Sequence, residues 1–256
     1  MSSDRYQRNY SAIAPVILDA GHKAPKVRKM LAVLEAAGVL REESRRLAVD
    51  VGASSGLFAG GLSPYFERVL ACDIDDGAIN AGRAQAPGNT HFVLSDSERL
   101  PLPPASADLV VCNHVYEHVP SADRLFDEIH RVLRPGGACY LGAASRLTVV
   151  EPHYRLPFLS WLPKWAADPY MRLAGRGDRY YENLRTWGGI RRLLDGFDWV
   201  DYTLPILRHP DRFHARDLLP PGSWIEHVPE WVWRASYRLL PTYILVLRKR
   251  RPRRVP

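Results

Sequence analysis

Between Leu47 and Ala144 the chain alternates between short apolar runs typical of β-strands and segments with helical spacing. Four such runs follow one another, within RLAVDVG, RVLACDID, THFVLSD and ADLVVCNH, and the second precedes the helix-forming stretch DGAINAGRAQA. Strands that alternate with helices favour βαβ units, in which the strands run parallel and the helices pack on the sheet. The pattern therefore predicts an α/β fold built on a parallel sheet.

Further elements extend this pattern on both sides. The segment from Lys26 to Leu40 has the spacing of a helix. The stretch SADRLFDEIHRVLRPGG predicts an amphipathic helix with Ser121 as its N-cap, stopped by PGG, after which ACYLGAA forms a strand. A helix near 186–194, a strand near 199–204 and a last strand, PTYILVLRK, complete the predicted elements.

The length and composition suit one large core, since the chain has 256 residues and is 46% hydrophobic. No run of roughly 18 apolar residues is present, as a membrane-spanning helix would require. The polar start MSSDRYQRNYS is not expected to be a secretory signal. Cys72, Cys112 and Cys139 each lie beside a strand-like run, which argues against a disulfide framework. We expect a cytoplasmic protein.

The chain divides into a helical segment over 1–44, a main domain over 45–247 and a basic tail over 248–256. Insertions at about 145–185 and 206–238 hold Pro-interrupted aromatic stretches, and all seven tryptophans lie between Trp161 and Trp233. Such stretches either cover an edge of the core or form the aromatic walls of a substrate pocket.

Most of the net charge of +7 comes from the tail, because RKRRPRRVP holds six basic groups and no acid. The remainder sums to about +1, and no basic stripe or RNA-binding motif occurs elsewhere, so no nucleic-acid partner is expected. The tail itself has two interpretations: a disordered, solubilising end, or a polybasic patch that brings the protein to an anionic membrane surface. The oligomeric state stays unknown.

Polar residues follow three of the predicted strands. The first strand leads into the turn DVGASSG, in which Gly52 allows a tight turn and Gly56 a close approach. The second ends at Asp73, some twenty residues later, where a carboxylate can accept both hydroxyl protons of a ribose. Asp96 and Ser97 follow the third strand and suit the amino group and edge of an adenine ring. Parallel strand ends meet at one edge of a sheet, where open α/β folds bind ligands.

These motifs, with NHVYEHV and IHRVLRPGG after them, resemble the class I S-adenosylmethionine-dependent methyltransferases, closest to the ubiquinone/menaquinone-type small-molecule branch. The resemblance covers roughly residues 45 to 145. It implies a Rossmann-like three-layer sandwich with a seven-stranded, mostly parallel sheet. The last strand would be antiparallel and inserted between the fifth and sixth.

The resemblance also implies S-adenosylmethionine as cofactor and a set of contacts for it: Asp50, Gly52, Ser54 and Gly56 for the methionine part, Asp73 for the ribose, Ile74 for the adenine face, Asp96 and Ser97 for the adenine edge, and Asn113 and His114 for the sulfonium end. Ser54 departs from the family, which usually has glycine there. We expect a serine to be tolerated only if its φ is not positive.

The segment CNHVYEHVP allows several interpretations of its two histidines and its glutamate. On a helix, His114, Glu117 and His118 would share one face, and HxxEH is also a metallopeptidase signature. A peptidase would leave the motifs on three other strand ends unexplained. Some quinone O-methyltransferases resemble this segment with a metal-binding Glu-x-x-Glu-His run, so a metal at these three residues is an alternative, although we favour none.

Methyl transfer needs an acceptor held close to the methyl group and, for a hydroxyl acceptor, a base. We rank His118 first and His153 second as that base, because an imidazole pKa lies near neutrality. A helix-start residue bonded to backbone is the alternative for His118. The sequence thus predicts a methyltransferase that acts on a small or lipid-linked acceptor, with oxygen ranked ahead of nitrogen or carbon as the methylated atom. The other hypothesis is a catalytically inactive peripheral membrane or scaffold protein with the same fold.

Overall fold

A computed structural model describes residues 6–13, 20–41 and 45–250. The strands are β1 Leu47–Val51, β2 Arg68–Asp73, β3 Thr90–Leu94, β4 Ala107–Asn113, β5 Leu133–Ala144, β6 Phe197–Asp201 and β7 Thr242–Lys249. The helices are α1 Tyr10–Ile13, α2 Ala20–Ala36, α3 Leu57–Leu62, α4 Asp76–Arg83, α5 Ala122–Val132, α6 Lys164–Leu173, α7 Trp187–Leu193, α8 Thr203–Arg208 and α9 Glu230–Ala235. Among these described helices, none combines the length and the apolar character needed to cross a bilayer.

All seven strands form one sheet in the order β3-β2-β1-β4-β5-β7-β6. The four strand pairs β3–β2, β2–β1, β1–β4 and β4–β5 are parallel, whereas β7 pairs antiparallel with both β5 and β6. The predicted Rossmann-like sandwich is therefore confirmed, including the last strand inserted between the fifth and sixth.

Helices cover both faces of the sheet, as the side chains of β7 show. Tyr243, Leu245 and Leu247 join the core beneath α5 and α7, whereas Ile244 and Val246 join the core beneath α2 and α3. Because successive side chains of a strand point to opposite faces, an unbroken apolar run is what a strand buried on both sides requires. The sheet is thus fixed between two layers, and its strand ends hold their positions.

Several boundaries differ from the sequence prediction. The strand expected near 199–204 ends at Asp201, because Asp201 accepts a hydrogen bond from the Thr203 backbone N–H and α8 begins there. Helix α5 ends at Val132 rather than at the PGG segment, and β5 starts at once with Leu133. Proline at 135 disfavours a helical residue before it, so the chain is already extended there.

The basic segment at the end also differs from its prediction in part. Lys249 belongs to β7, and its ammonium donates to the backbone carbonyls of His130 and Leu133. Arg250 donates from Nε to Asp198 Oδ1 over 3.0 Å. These groups are part of the fold rather than of a tail, while residues 251–256 lie outside the described part of the chain.

The first predicted insertion has a small core of its own. Leu156, Leu159, Ala167, Met171 and Tyr180 are buried together, apart from the two large clusters beside the sheet. The ammonium of Lys164 donates to the carbonyls of Tyr180 and Glu182, over 2.8 and 2.6 Å, and joins α6 to the segment before α7.

Candidate functional site

One cavity of about 970 Å³ opens at the carboxyl ends of β1 to β4. Predicted site residues from four strand ends and from the first insertion line it: Asp50, Gly52, Ser54, Asp73, Ile74, Asp96, Ser97, Asn113, His114, His118 and His153. Gly56 does not line this cavity. The structure thus brings nearly all the residues selected from the sequence to one cavity.

The turn between β1 and α3 has left-handed backbone at Gly52, Ser54 and Gly56, with φ of 66°, 52° and 74°. A Cβ at Gly52 would lie 2.6 Å from a methyl carbon of Val115, and one at Gly56 would lie 2.4 Å from Phe92. Both glycines are therefore required by close packing as well as by their φ. Gly56 shapes the turn from behind rather than facing the cavity.

The expectation that Ser54 avoids positive φ is wrong. Its φ of 52° places an L-residue in the region that favours glycine. The Ser54 backbone N–H donates to Asp73 Oδ2 over 2.6 Å, which holds the turn in this conformation. The Ser54 hydroxyl is buried and has no hydrogen-bond partner among the described residues.

Asp73 lies at the end of β2 with both carboxylate oxygens oriented by backbone. Oδ2 accepts from Ser54 and Oδ1 accepts from the N–H of Asp75 over 2.9 Å. Burial raises the pKa of this carboxyl, and backbone N–H donors, those of Asp75 and Ser54 first among them, act in the opposite direction. A carboxylate has about four acceptor positions in all, so capacity remains for a hydroxyl donor from the cavity.

The neighbouring acids are fixed by helix and turn backbone. Asp50 is buried, and its Oδ2 accepts from the Ala59 N–H of α3 over 3.1 Å. Asp96 accepts from the Glu98 N–H over 2.9 Å. Asp75 is the N-cap of α4 and accepts a hydrogen bond from the Ala78 N–H over 3.1 Å.

The end of β4 combines close packing with a strained residue. A Cβ at Gly142 of β5 would lie 2.2 Å from Asn113 Oδ1, so glycine there leaves the space for this side chain. His114 has φ of 56°, and its backbone N–H donates to the Gly142 carbonyl over 2.8 Å. Such strain persists only where the surrounding structure holds it, and it is common at binding sites.

The segment around His118 is a turn, not the start of a helix. His118 Nδ1 lies 2.6 Å from Oε2 of Glu182, whose side chain is fully buried. Burial favours the neutral imidazole, but the charge of Glu182 and its hydrogen bond raise the pKa of His118 to about 9. His118 therefore does not lie at a helix start, and its ring is paired with a carboxylate. The pKa also departs from the near-neutral value expected from the sequence.

His153 forms a second pair of the same kind. Its Nδ1 lies 2.7 Å from Oε1 of the buried Glu151. Burial by itself would lower the pKa of His153. The hydrogen bond to Glu151 and the charges of Glu182 and Glu151 outweigh burial, so the pKa is raised above its ordinary value. The rings of His118 and His153 meet edge to face with centroids 4.9 Å apart, and both line the cavity.

Glu117 is fully buried behind these histidines. Although burial favours its protonated form, the hydrogen bond and charge of His114 lower its pKa. One ligand atom from each of Glu117, His118 and His153 lies within 4.8 Å of the others, which is close enough for a metal ion. The set that the structure assembles therefore contains His153, where the sequence had suggested His114. The prediction of no metal stays untested.

Sequence reasoning missed Glu151, Glu182 and Tyr10. The Tyr10 ring lies 5.7 Å from that of His118, and burial together with the nearby carboxylates raises its pKa to about 12. The spacing of Glu151 and His153, two residues apart, could have indicated one pair. Glu182 is 64 residues from His118, and no local pattern marks it.

Comparison with known proteins gives a consistent picture. A family model described as a methyltransferase domain matches residues 49–141. An uncharacterized methyltransferase of Mycolicibacterium paratuberculosis is 32% identical over 220 residues, which is 84% of this chain and 82% of that protein. A solved S-adenosylmethionine-dependent methyltransferase of Mesorhizobium loti shares the fold, with 18% identity and a TM-score of 0.55 over 85% of this chain and 97% of its own.

A further relative matches over a shorter stretch of the chain. The malonyl-[acyl-carrier protein] O-methyltransferase of Methylococcus capsulatus is 36% identical over 107 residues, 40% of this chain and 39% of that protein. The chain therefore spans less than half the length of this relative. The long match to the mycobacterial protein, by contrast, includes most of both chains.

Proposed function

Because the chain belongs to the class I S-adenosylmethionine-dependent methyltransferase family, we propose that it transfers a methyl group from S-adenosylmethionine to an oxygen of a small or lipid-linked acceptor. One observation carries the proposal: a single cavity joins the strand ends around Asp73 to the paired imidazoles of His118 and His153. One end suits a nucleoside and the other suits an acceptor oxygen.

The residues of the cofactor end match the donors and acceptors of an adenosyl group. Asp73 offers two oriented carboxylate oxygens to ribose hydroxyls. Ile74 offers an apolar face to a ring, and Asp96 and Ser97 lie at the next strand end. When bound, the cofactor supplies an electrophilic methyl group on a positively charged sulfur.

The chemistry then needs position and a proton acceptor. An oxygen–carbon bond forms as the carbon–sulfur bond breaks, and a hydroxyl acceptor must lose its proton. We assign that proton to His118, with His153 as the second candidate. Glu182 makes His118 a stronger base than a free imidazole, and the ion pair fixes the ring through Nδ1. The cost is a smaller neutral fraction at neutral pH.

The choice of oxygen as the methylated atom is supported by two observations. Buried histidine–carboxylate pairs suit a hydroxyl that must be deprotonated. The relative from Methylococcus capsulatus is an O-methyltransferase by name. The ubiquinone/menaquinone-type branch stays a prediction from the sequence motifs.

The test has two steps. Calorimetry with S-adenosylhomocysteine measures whether the cavity binds the nucleoside; we expect saturable binding. A mass-spectrometric screen of phenols, quinols, sugars and lipids then looks for a gain of one methyl that requires S-adenosylmethionine. Nucleoside binding without any methylated product from the screen would favour the inactive scaffold hypothesis, and absence of nucleoside binding would overturn the proposal.

A further inference from the structure

Exposed apolar surface is concentrated on one part of the first insertion. Within residues 149–173, Trp165 and Leu173 are 80% and 89% exposed. Four other large apolar side chains there are between 42% and 56% exposed. We call these six side chains the insertion patch: Val149, Val150, Phe158, Trp161, Trp165 and Leu173. Apolar side chains exposed this close together mark a site of interaction.

Backbone and ring contacts hold the first four members of the patch side by side. The Phe158 N–H donates to the Val149 carbonyl over 2.7 Å, and Val150 pairs with Pro157 as an antiparallel bridge. Trp161 stacks edge to face on Phe158 with centroids 5.3 Å apart. The Trp161 indole N–H donates to the Thr148 carbonyl over 2.9 Å. The aromatic surface is therefore preformed rather than a set of free side chains.

Helix α6 carries the other two members of the patch, Trp165 and Leu173. Its buried residues are Ala167 and Met171, which pack on the small core of the insertion. With 3.6 residues per turn, Trp165 and Leu173 fall on the opposite side of the helix. The helix thus buries a narrow stripe and presents a tryptophan and a leucine outward, which is typical of a helix that lies in a membrane interface.

Charge around the patch is positive. Arg155, Arg172, Arg176 and Arg179 are exposed, whereas the exposed acid in this stretch is Asp178. Glu151 is buried against His153, so it contributes no surface charge. Arginine beside exposed tryptophan and leucine complements a bilayer surface, in which anionic headgroups cover an apolar layer of acyl chains. A water-facing protein partner would not require both features together.

We propose that the insertion patch docks on an anionic lipid bilayer. The six apolar side chains enter the boundary between headgroups and acyl chains, and the surrounding arginines contact lipid phosphates. Residues of the same loop, Pro152, His153 and Arg155, line the catalytic cavity. Docking therefore brings the acceptor end of the cavity to the lipid surface. This step rests on the proposed function and narrows its acceptor to a lipid-linked molecule.

The experiment is co-sedimentation of the full chain with vesicles of phosphatidylcholine, alone or mixed with phosphatidylglycerol. We expect binding to the mixed vesicles that weakens with salt. The double variant Trp165→Ser/Leu173→Ser should lose at least about tenfold in vesicle partitioning, because two exposed apolar side chains no longer enter the interface. Arg172→Gln/Arg176→Gln should bind the mixed vesicles more weakly than the wild type does, while its partitioning to vesicles of phosphatidylcholine alone should not change.

Trp224→Ser/Trp231→Ser is the matched control, since these tryptophans are 77% and 71% exposed and lie outside the patch. It should bind as the wild type does. Wild-type protein that ignores mixed vesicles, or a patch variant that binds them normally through the basic residues at the chain end, would overturn the proposal. So would self-association that the patch variant abolishes in sedimentation velocity, since a second copy would then occupy the patch.

Calorimetry with S-adenosylhomocysteine on the same variants separates this inference from the proposed function. The patch variants should bind the nucleoside with wild-type affinity, which also shows that they are folded. Loss of vesicle binding with nucleoside binding intact supports the docking surface. Vesicle binding that persists in a chain unable to bind the nucleoside would overturn the methyltransferase proposal while leaving the docking surface in place.

Discussion

The imidazole of His118 and the carboxylate of Glu182 form an ion pair over 2.6 Å at the acceptor end of the cavity. The two residues come from different parts of the fold, one from the turn after β4 and one from the segment before α7. Glu182 is fully buried, so its charge acts on His118 through protein rather than through water. This pair determines the protonation state of the proposed base.

Glu182→Gln should lower the pKa of His118 from about 9 toward its ordinary value of 6.5, because the charge is removed while burial still favours the neutral ring. The folded pKa in the wild type is raised, so the pair stabilises the fold fully below about pH 6.5 and loses this contribution as the pH rises through about 9. Proton NMR of the His118 ring follows the titration, and thermal melting against pH follows the stability.

Other groups around His118 also bear on this result. Glu117 and Glu151 raise the same pKa through their charges, and the His153 ring is a direct neighbour. Glu67→Gln, a change at an exposed carboxylate, is the control and should leave the His118 titration in place. A ring in the Glu182 variant that still titrates near pH 9 would show that the pair does not set its pKa.

Once an acceptor is known, the pH dependence of kcat/KM distinguishes base from acid. If neutral His118 removes the acceptor proton, the rate should rise with pH and level off near 9. A rate that instead falls above pH 9 would mean that the imidazolium form is required, and the base assignment would be rejected. His118→Ala should remove the change in slope near pH 9 in either case.

Asp73→Asn should weaken the binding of S-adenosylhomocysteine by about 10- to 100-fold, because a charged acceptor contributes on the order of 1.5–3 kcal/mol to its hydrogen bonds. Isothermal calorimetry measures the change. Asp76→Asn removes an exposed acid from the first turn of α4 and should bind as the wild type does. If Asp73→Asn retains affinity within about twofold, the ribose is not held by this carboxylate.

Ser54→Gly should raise the free energy of unfolding by about 0.5–1 kcal/mol. Relief of an L-residue at φ 52° contributes about 1–2 kcal/mol, and the greater freedom of glycine in the unfolded chain offsets part of this. A melting temperature higher by about 1–3 °C is expected. Ser55→Gly lacks a positive φ to relieve and should not gain stability; a gain at Ser55 equal to that at Ser54 would contradict the explanation by strain.

Removal of metal should leave the protein unchanged. Binding at Glu117, His118 and His153 would have to displace a proton from an imidazole with a pKa of about 9, which costs on the order of 3 kcal/mol at neutral pH. We expect the same melting temperature with EDTA, Mg²⁺ or Zn²⁺. A melting temperature raised by one of these ions, and lowered again by His153→Ala, would instead identify a metal site.

Much of the fold could be predicted because its signals are local. The apolar run of β7, the N-cap of Ser121 and the glycines after β1 each act on their own few residues, and the structure has them as expected. Element ends were less predictable where a side chain decides between two conformations, as Asp201 does at the start of α8. The positive φ of Ser54 could not be predicted from its neighbours in sequence. The carboxylate that accepts the Ser54 N–H and holds this conformation belongs to Asp73, on another strand.

The sequence by itself determined the order of strands and helices and the set of polar residues at the strand ends, since periodicity and turn residues act over a few positions. Only the tertiary structure decided which residues meet across the cavity. His118 is paired with Glu182 and stacked on His153 because three distant segments fold against one another, and burial there raises the energy of any unpaired charge. The protonation state of the site is therefore a property of packing, which no stretch of sequence carries alone.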